Sequence, residues 1–105
     1  MAWGNSNSNE RSKVKTGIIT LTASDWVGDV EPYYQKINSF PIGVNTQIDL
    51  IPNMAAMSDM NMDNVDMIYI QNENGVASAV AIGGKPTVDL KIQANFTEVN
   101  PIWVW

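Results

Sequence analysis

Val88-Asp89-Leu90-Lys91-Ile92-Gln93-Ala94-Asn95-Phe96-Thr97 carries the plainest pattern in the chain, and its reading decides the fold. Apolar and polar residues alternate without a break. Successive side chains of an extended strand point to opposite faces. The run therefore sets Val88, Leu90, Ile92, Ala94 and Phe96 on a buried face and Asp89, Lys91, Gln93, Asn95 and Thr97 on a wet one. A helix would scatter the same residues around its circumference and bury no face at all. This is a strand covered on one side, the kind antiparallel sheets use.

Upstream, the same period recurs. Val76-Ala77-Ser78-Ala79-Val80-Ala81-Ile82 is a second apolar run, closed from the last strand by the turn Gly83-Gly84-Lys85-Pro86. Asn72-Glu73-Asn74-Gly75 separates it from Val65-Asp66-Met67-Ile68-Tyr69-Ile70, and Asn-Gly is a strong hairpin signal. Gln47-Ile48-Asp49-Leu50 alternates and stops at Pro52, Tyr33–Ile37 is a further strand, and Pro41 with Gly43 marks the turn between them. Near the start, Gly17–Ala23 places Ile19, Leu21 and Ala23 on one face and Ile18, Thr20 and Thr22 on the other. Ser24–Pro32, with Gly28 and three acids, is a loop. Residues 53–63 break the pattern. Asn53 is a fitting N-cap, and Met54, Met57 and Met60 recur every third residue, so a short helix is expected there. The methionine stripe suits a lid over one end of a β core or, alternatively, a pliable binding face. About six strands with one short helix between the third and fourth give an all-β fold, a small β-sandwich or barrel.

Three parts follow. Residues 1–15 form a polar, basic N-terminal arm, residues 16–99 the β body, and residues 100–105 a Trp-rich C-terminal extension. The arm contains the low-complexity run Gly4-Asn5-Ser6-Asn7-Ser8-Asn9, which cannot bury a core. Residues 1–16 hold Arg11, Lys13 and Lys15 against Glu10, whereas the rest holds three lysines against ten acids. Such asymmetry gives the arm a separate task, docking, with a solubilising leader as the plain alternative. At the other end, Asn100 and Pro101 break the last strand, and Ile102-Trp103-Val104-Trp105 must fold back or dock, because large apolar side chains are costly to leave in water. Trp3, Arg11, Lys13, Lys15, Trp103 and Trp105 are thus the expected interface residues. Trp26, Tyr33 and Tyr34 are a candidate ligand-facing platform, although Trp26 is equally suited to cap the core.

Composition narrows the chemistry. The 105 residues include no cysteine and no histidine, so disulfides, thiolate sites, histidine metal sites and histidine-dependent catalytic triads are excluded. A net charge of −5 opposes binding to nucleic acid through the whole surface. No apolar run has the ~20 residues of a membrane helix, and the start of the chain lacks the pattern of a signal peptide. Asp59-Met60-Asn61-Met62-Asp63-Asn64 copies the opening of a calcium loop and then fails: Asn64 stands where glycine is needed and Ile70 where a bidentate glutamate is needed. Asp25, Asp29 and Glu31 lie in a loop with nothing to fix their geometry. Gly83-Gly84-Lys85 lacks the following Ser or Thr and the helix of a phosphate loop. No catalytic residue, metal or cofactor is expected.

Residues 17–99 resemble a small all-β domain of bacteriophage and prophage structural proteins. The resemblance is carried by Ile19-Thr20-Leu21-Thr22-Ala23-Ser24-Asp25-Trp26, Tyr33-Tyr34-Gln35, Gly43-Val44-Asn45-Thr46, Ile51-Pro52, Glu73-Asn74-Gly75 and Gly84-Lys85-Pro86-Thr87-Val88-Asp89-Leu90. It implies a non-enzymatic virion role as a fibre, tail-tip or head-decoration subunit, made in the bacterial host cytoplasm and carried in the particle. The partners expected are other capsid or tail proteins and further copies of the chain, a trimer fitting a fibre-like protein. The alternative is a carbohydrate-binding module for host surfaces.

Overall fold

The computed structural model describes residues 12–38 and 40–99. Six strands occur in the order β1 (Ser12–Leu21), β2 (Tyr33–Lys36), β3 (Thr46–Ile51), β4 (Val65–Glu73), β5 (Val76–Gly83) and β6 (Leu90–Val99). One α-helix, α1 (Met54–Met62), lies between β3 and β4, and a 3-10 turn, Ala23–Asp25, follows β1. The strands make two three-stranded antiparallel sheets, ordered β1-β6-β3 and β2-β5-β4. They face each other across one core, so the fold is all-β, a small sandwich.

The first sheet supplies bulk. Ile19 and Leu21 of β1, Ile48 of β3, and Leu90, Ile92, Ala94 and Phe96 of β6 turn inward and are buried. The second sheet meets them with small side chains. Ala77, Ala79 and Ala81 of β5 all face the core, between Ile37 just beyond β2 and Val65 of β4. Large against small lets two sheets approach without voids. Phe40, on the connection from β2 to β3, tilts against Phe96 at 4.7 Å between ring centroids and closes the end of the core near the chain ends.

The expected elements appear, with four adjustments. β1 begins at Ser12, so Lys13 and Lys15 belong to a strand rather than to the arm. The cause is pairing: Ser12 to Leu21 run opposite Val99 to Leu90 without interruption, and the β6 backbone recruits even the polar stretch. Val88 is half-exposed and precedes β6, because Asp89 turns back to accept from the Ala23 N–H at 2.8 Å. Ala23 lies in the 3-10 turn instead of continuing β1. β4 runs on to Glu73.

The Asn74-Gly75 signal is met in full. Asn74 has φ 56° and Gly75 φ 93°, the paired left-handed residues of a type I′ hairpin. Asn53 caps α1, its side chain accepting from the Ala56 N–H at 2.9 Å. The helix does cover one end of the core, but Met60 alone of its methionine stripe takes part. Ala56 is buried and Met60 packs against the core, whereas Met54, Met57 and Met62 are exposed. An i, i+4 pair lies on one side of a helix, and that pair carries the contact. No described helix is long and apolar enough to cross a membrane.

Candidate functional site

Strand β5 explains why the second sheet has a distinctive outer surface. With alanines turned inward, its alternate residues Val76, Ser78, Val80 and Ile82 point outward. Register then sets their neighbours. Val80 lies opposite Tyr34 of β2 on one side and Tyr69 of β4 on the other. Residues directly opposite share a face, so the three form one row. Val80 is only 1% exposed although it points away from the core, while Tyr34 and Tyr69 are 45% and 40% exposed. The two rings cover the valine and remain half in solvent.

The next row is polar: Lys36, Ser78 and Gln71. Beyond it Glu73 lies opposite Val76. The Gln71 side-chain amide donates to the Glu73 carboxylate, which orients both. Val27 adds a short fourth member to this sheet. Its N–H donates to the Tyr34 carbonyl at 2.8 Å and its carbonyl accepts from the Tyr34 N–H at 3.1 Å. Val27, Tyr34, Lys36, Gln71, Glu73 and Val76 border an open groove of about 660 Å³. Val76 and Ser78 of β5 line it, between a positive charge, Lys36, and a negative charge, Glu73, on the strands to either side. That arrangement suits recognition of an amphipathic surface.

Bringing β4 into this face depends on an irregularity. Val65 pairs with Gly83 and Met67 with Ile82, so Asp66 is an extra residue, a β-bulge. Val65 turns inward before it, and Ile68 and Ile70 pack against the core after it. Met67 and Tyr69 are thereby directed outward.

The platform Trp26, Tyr33 and Tyr34 is not a shared surface. Trp26 is 4% exposed and belongs to the core, where its indole N–H has no acceptor among the described residues. Tyr33 packs against the core, with the Lys85 ammonium 5.5 Å from its ring centroid. Adjacent residues on a strand point oppositely, which separates Tyr33 from Tyr34. Only Tyr34 faces the groove. Gln71 and Glu73 join it there, and Tyr69 shares its outer face, all from a strand whose sequence signal ends at Ile70.

Among the expected interface residues, Trp3, Arg11, Trp103 and Trp105 lie outside the described residues. Lys13 is near the start of β1, and Lys15 is exposed on the same strand beside a small depression lined by Pro41, Thr46, Phe96 and Glu98.

The acidic loops act as fasteners. Asp63, the fifth residue of the calcium-like hexapeptide, accepts from the Thr87 N–H at 2.8 Å and from its hydroxyl at 3.0 Å. The Gly84 N–H donates to the Asn64 carbonyl at 2.7 Å, and a Cβ on Gly84 would stand 1.8 Å from the Asp63 carbonyl oxygen. Only glycine admits that approach, so Gly83-Gly84-Lys85 is a turn locked to the end of α1. Glu31 accepts from the Gly83 N–H at 3.3 Å. Among the described residues no group of acidic side chains has the spacing to hold a metal ion.

Comparison with family models, with curated proteins and with solved structures finds no match to this chain.

Proposed function

We propose that the chain is a non-enzymatic structural subunit that docks onto a larger assembly, and that the assembly is a bacteriophage particle. The observation that supports docking is the row Tyr34–Val80–Tyr69. The central strand spends its small residues on the core and its valines and isoleucine on the solvent side. Half-exposed tyrosines around a desolvated aliphatic centre, with polar residues alongside, have the make-up of an interface hot spot. The virion assignment is supported by the resemblance running from Ile19 to Leu90, and capsid or tail proteins are the partners it suggests. Trp3, Arg11, Lys13, Lys15, Trp103 and Trp105 remain part of this proposal as further contacts.

The test is a Tyr34→Ser, Tyr69→Ser double variant, compared with the parent for thermal unfolding and for incorporation into particles. Incorporation should be lost while the melting temperature falls by only a few degrees. Normal incorporation would remove this face from docking.

A carbohydrate-binding role is the second reading, and the same row favours it. Tyr34 and Tyr69 are two interstrand spacings apart, roughly 10 Å, with Lys36, Gln71 and Ser78 beside them to meet hydroxyl groups. Titration of the full chain with soluble oligosaccharides separates the two. Saccharide binding by the isolated protein that vanishes in Tyr69→Ser would favour the adhesion module.

A further inference from the structure

The sheet β1-β6-β3 ends on β1, whose outer edge meets no other described strand. β1 is ten residues long, and among the described residues its backbone pairs only with β6. Its outward side chains include Val14, 62% exposed, and Ile18, 57% exposed, with Thr16 between them. A long edge strand with unpaired peptide groups is a template for another strand. From these features we infer that β1 pairs antiparallel with β1 of a second copy of this chain, about a twofold axis at Thr16, to make one continuous six-stranded sheet.

Symmetry restricts the register. A twofold axis perpendicular to the sheet sets a residue against its own copy, and two such arrangements keep nearly all of β1 paired, centred on Thr16 or on Gly17. Centring on Thr16 sets Val14 against Ile18 of the second copy, and Ile18 against Val14. Thr16 then faces Thr16. Like meets like along the outer face, and apolar and Thr–Thr cross-strand pairs are favourable ones. On the inner face Lys15 lies opposite Gly17, against which the Phe40 ring packs. Centring on Gly17 splits these pairs, setting Val14 against Thr20 and Thr16 against Ile18. A register centred on Lys15 would oppose two ammonium groups directly. The outer-face pairs of β1 therefore select one register. The contact is isologous and closes on itself. It uses the opposite sheet from the tyrosine row, so it is independent of what that row binds.

The chain has no cysteine, which makes the test direct. The full-length Thr16→Cys variant, mildly oxidised and run without reductant, should convert to a covalent dimer. Thr20→Cys, on the same face but opposite Ser12 of the second copy, should remain monomeric. The parent should sediment as a dimer, and Ile18→Lys should weaken that dimer by about tenfold or more while leaving its unfolding midpoint near that of the parent. A monomeric parent at all concentrations, or equal cross-linking at positions 16 and 20, would overturn the inference. A dimer insensitive to Ile18→Lys would also overturn it, because the contact would then lie elsewhere. Since Tyr34→Ser, Tyr69→Ser leaves β1 untouched, that variant should dimerise normally, which keeps failure of this pairing distinct from failure of the docking face.

Discussion

The two sheets of this small sandwich use the same period-two pattern to opposite ends. In β1-β6-β3 most large side chains go inward, and the outer face mixes Thr16, Thr20, Gln47, Gln93 and Asn95 with exposed Val14 and Ile18. In β2-β5-β4 the central strand turns alanines inward and keeps Val76, Val80 and Ile82 outside. Buried bulk is concentrated in the first sheet, whereas the second carries the aromatic outer surface of Tyr34 and Tyr69. Alternation in a strand thus has two dimensions, polarity and size. In β6 polarity alternates and size does not, whereas in β5, Ser78 aside, size alternates and polarity does not.

The largest effect should come from emptying the bulky side. Ile92, buried at the centre of β6 and opposite Ile19, has no exposed surface to fall back on. Ile92→Ala should cost about 2–5 kcal/mol in urea unfolding. The reciprocal experiment fills the small side. Ala79→Leu should destabilise by about 1–3 kcal/mol, and a neutral result would break the large-against-small account. Next comes the fastening between the sheets. The Gln35 carboxamide accepts from the Thr22 N–H at 3.1 Å and donates to the Thr22 carbonyl at 3.0 Å, mimicking a strand partner across the edge between β1 and β2. Gln35→Leu removes both bonds and should cost about 1–3 kcal/mol by leaving polar groups unsatisfied. Tyr69→Ser, on the outer face, should shift unfolding by under about 1 kcal/mol. Smallest of all is the effect of chelation. EDTA should leave the melting curve unchanged, because Asp63 already spends its carboxylate on Thr87. A large drop in calorimetry would show that the acidic loops hold an ion.

Much of this architecture was legible from residue order alone, and the exceptions have physical causes. β6 and the Asn74-Gly75 turn could be read because each rests on a local rule, polarity alternation and left-handed backbone preference. β1 could not be bounded, since Ser12–Lys15 carries no apolar period and becomes a strand only by pairing with residues at the far end of the chain. Tyr69 was hidden by the bulge. Simple alternation from Val65 would put Met67 and Tyr69 in the core and Ile68 outside, and one extra residue at Asp66 reverses all three. Of the aromatic candidates, Tyr34 alone faces the groove. Trp26 was open to two readings, and its burial depends on a bridge between Val27 and Tyr34 that no local signal announces.

One pairing has a consequence in time. Ser12 lies opposite Val99, so the first described strand waits for the last. On a ribosome, the hairpin β4–β5 can close as soon as its few turn residues emerge, but β1 has no backbone partner until β6 leaves the exit tunnel. Closing so long a loop is entropically expensive and slows the search for native contacts. Ile19 and Leu21 therefore stay uncovered until β6 docks, and that interval is when a nascent chain of this protein most needs a chaperone.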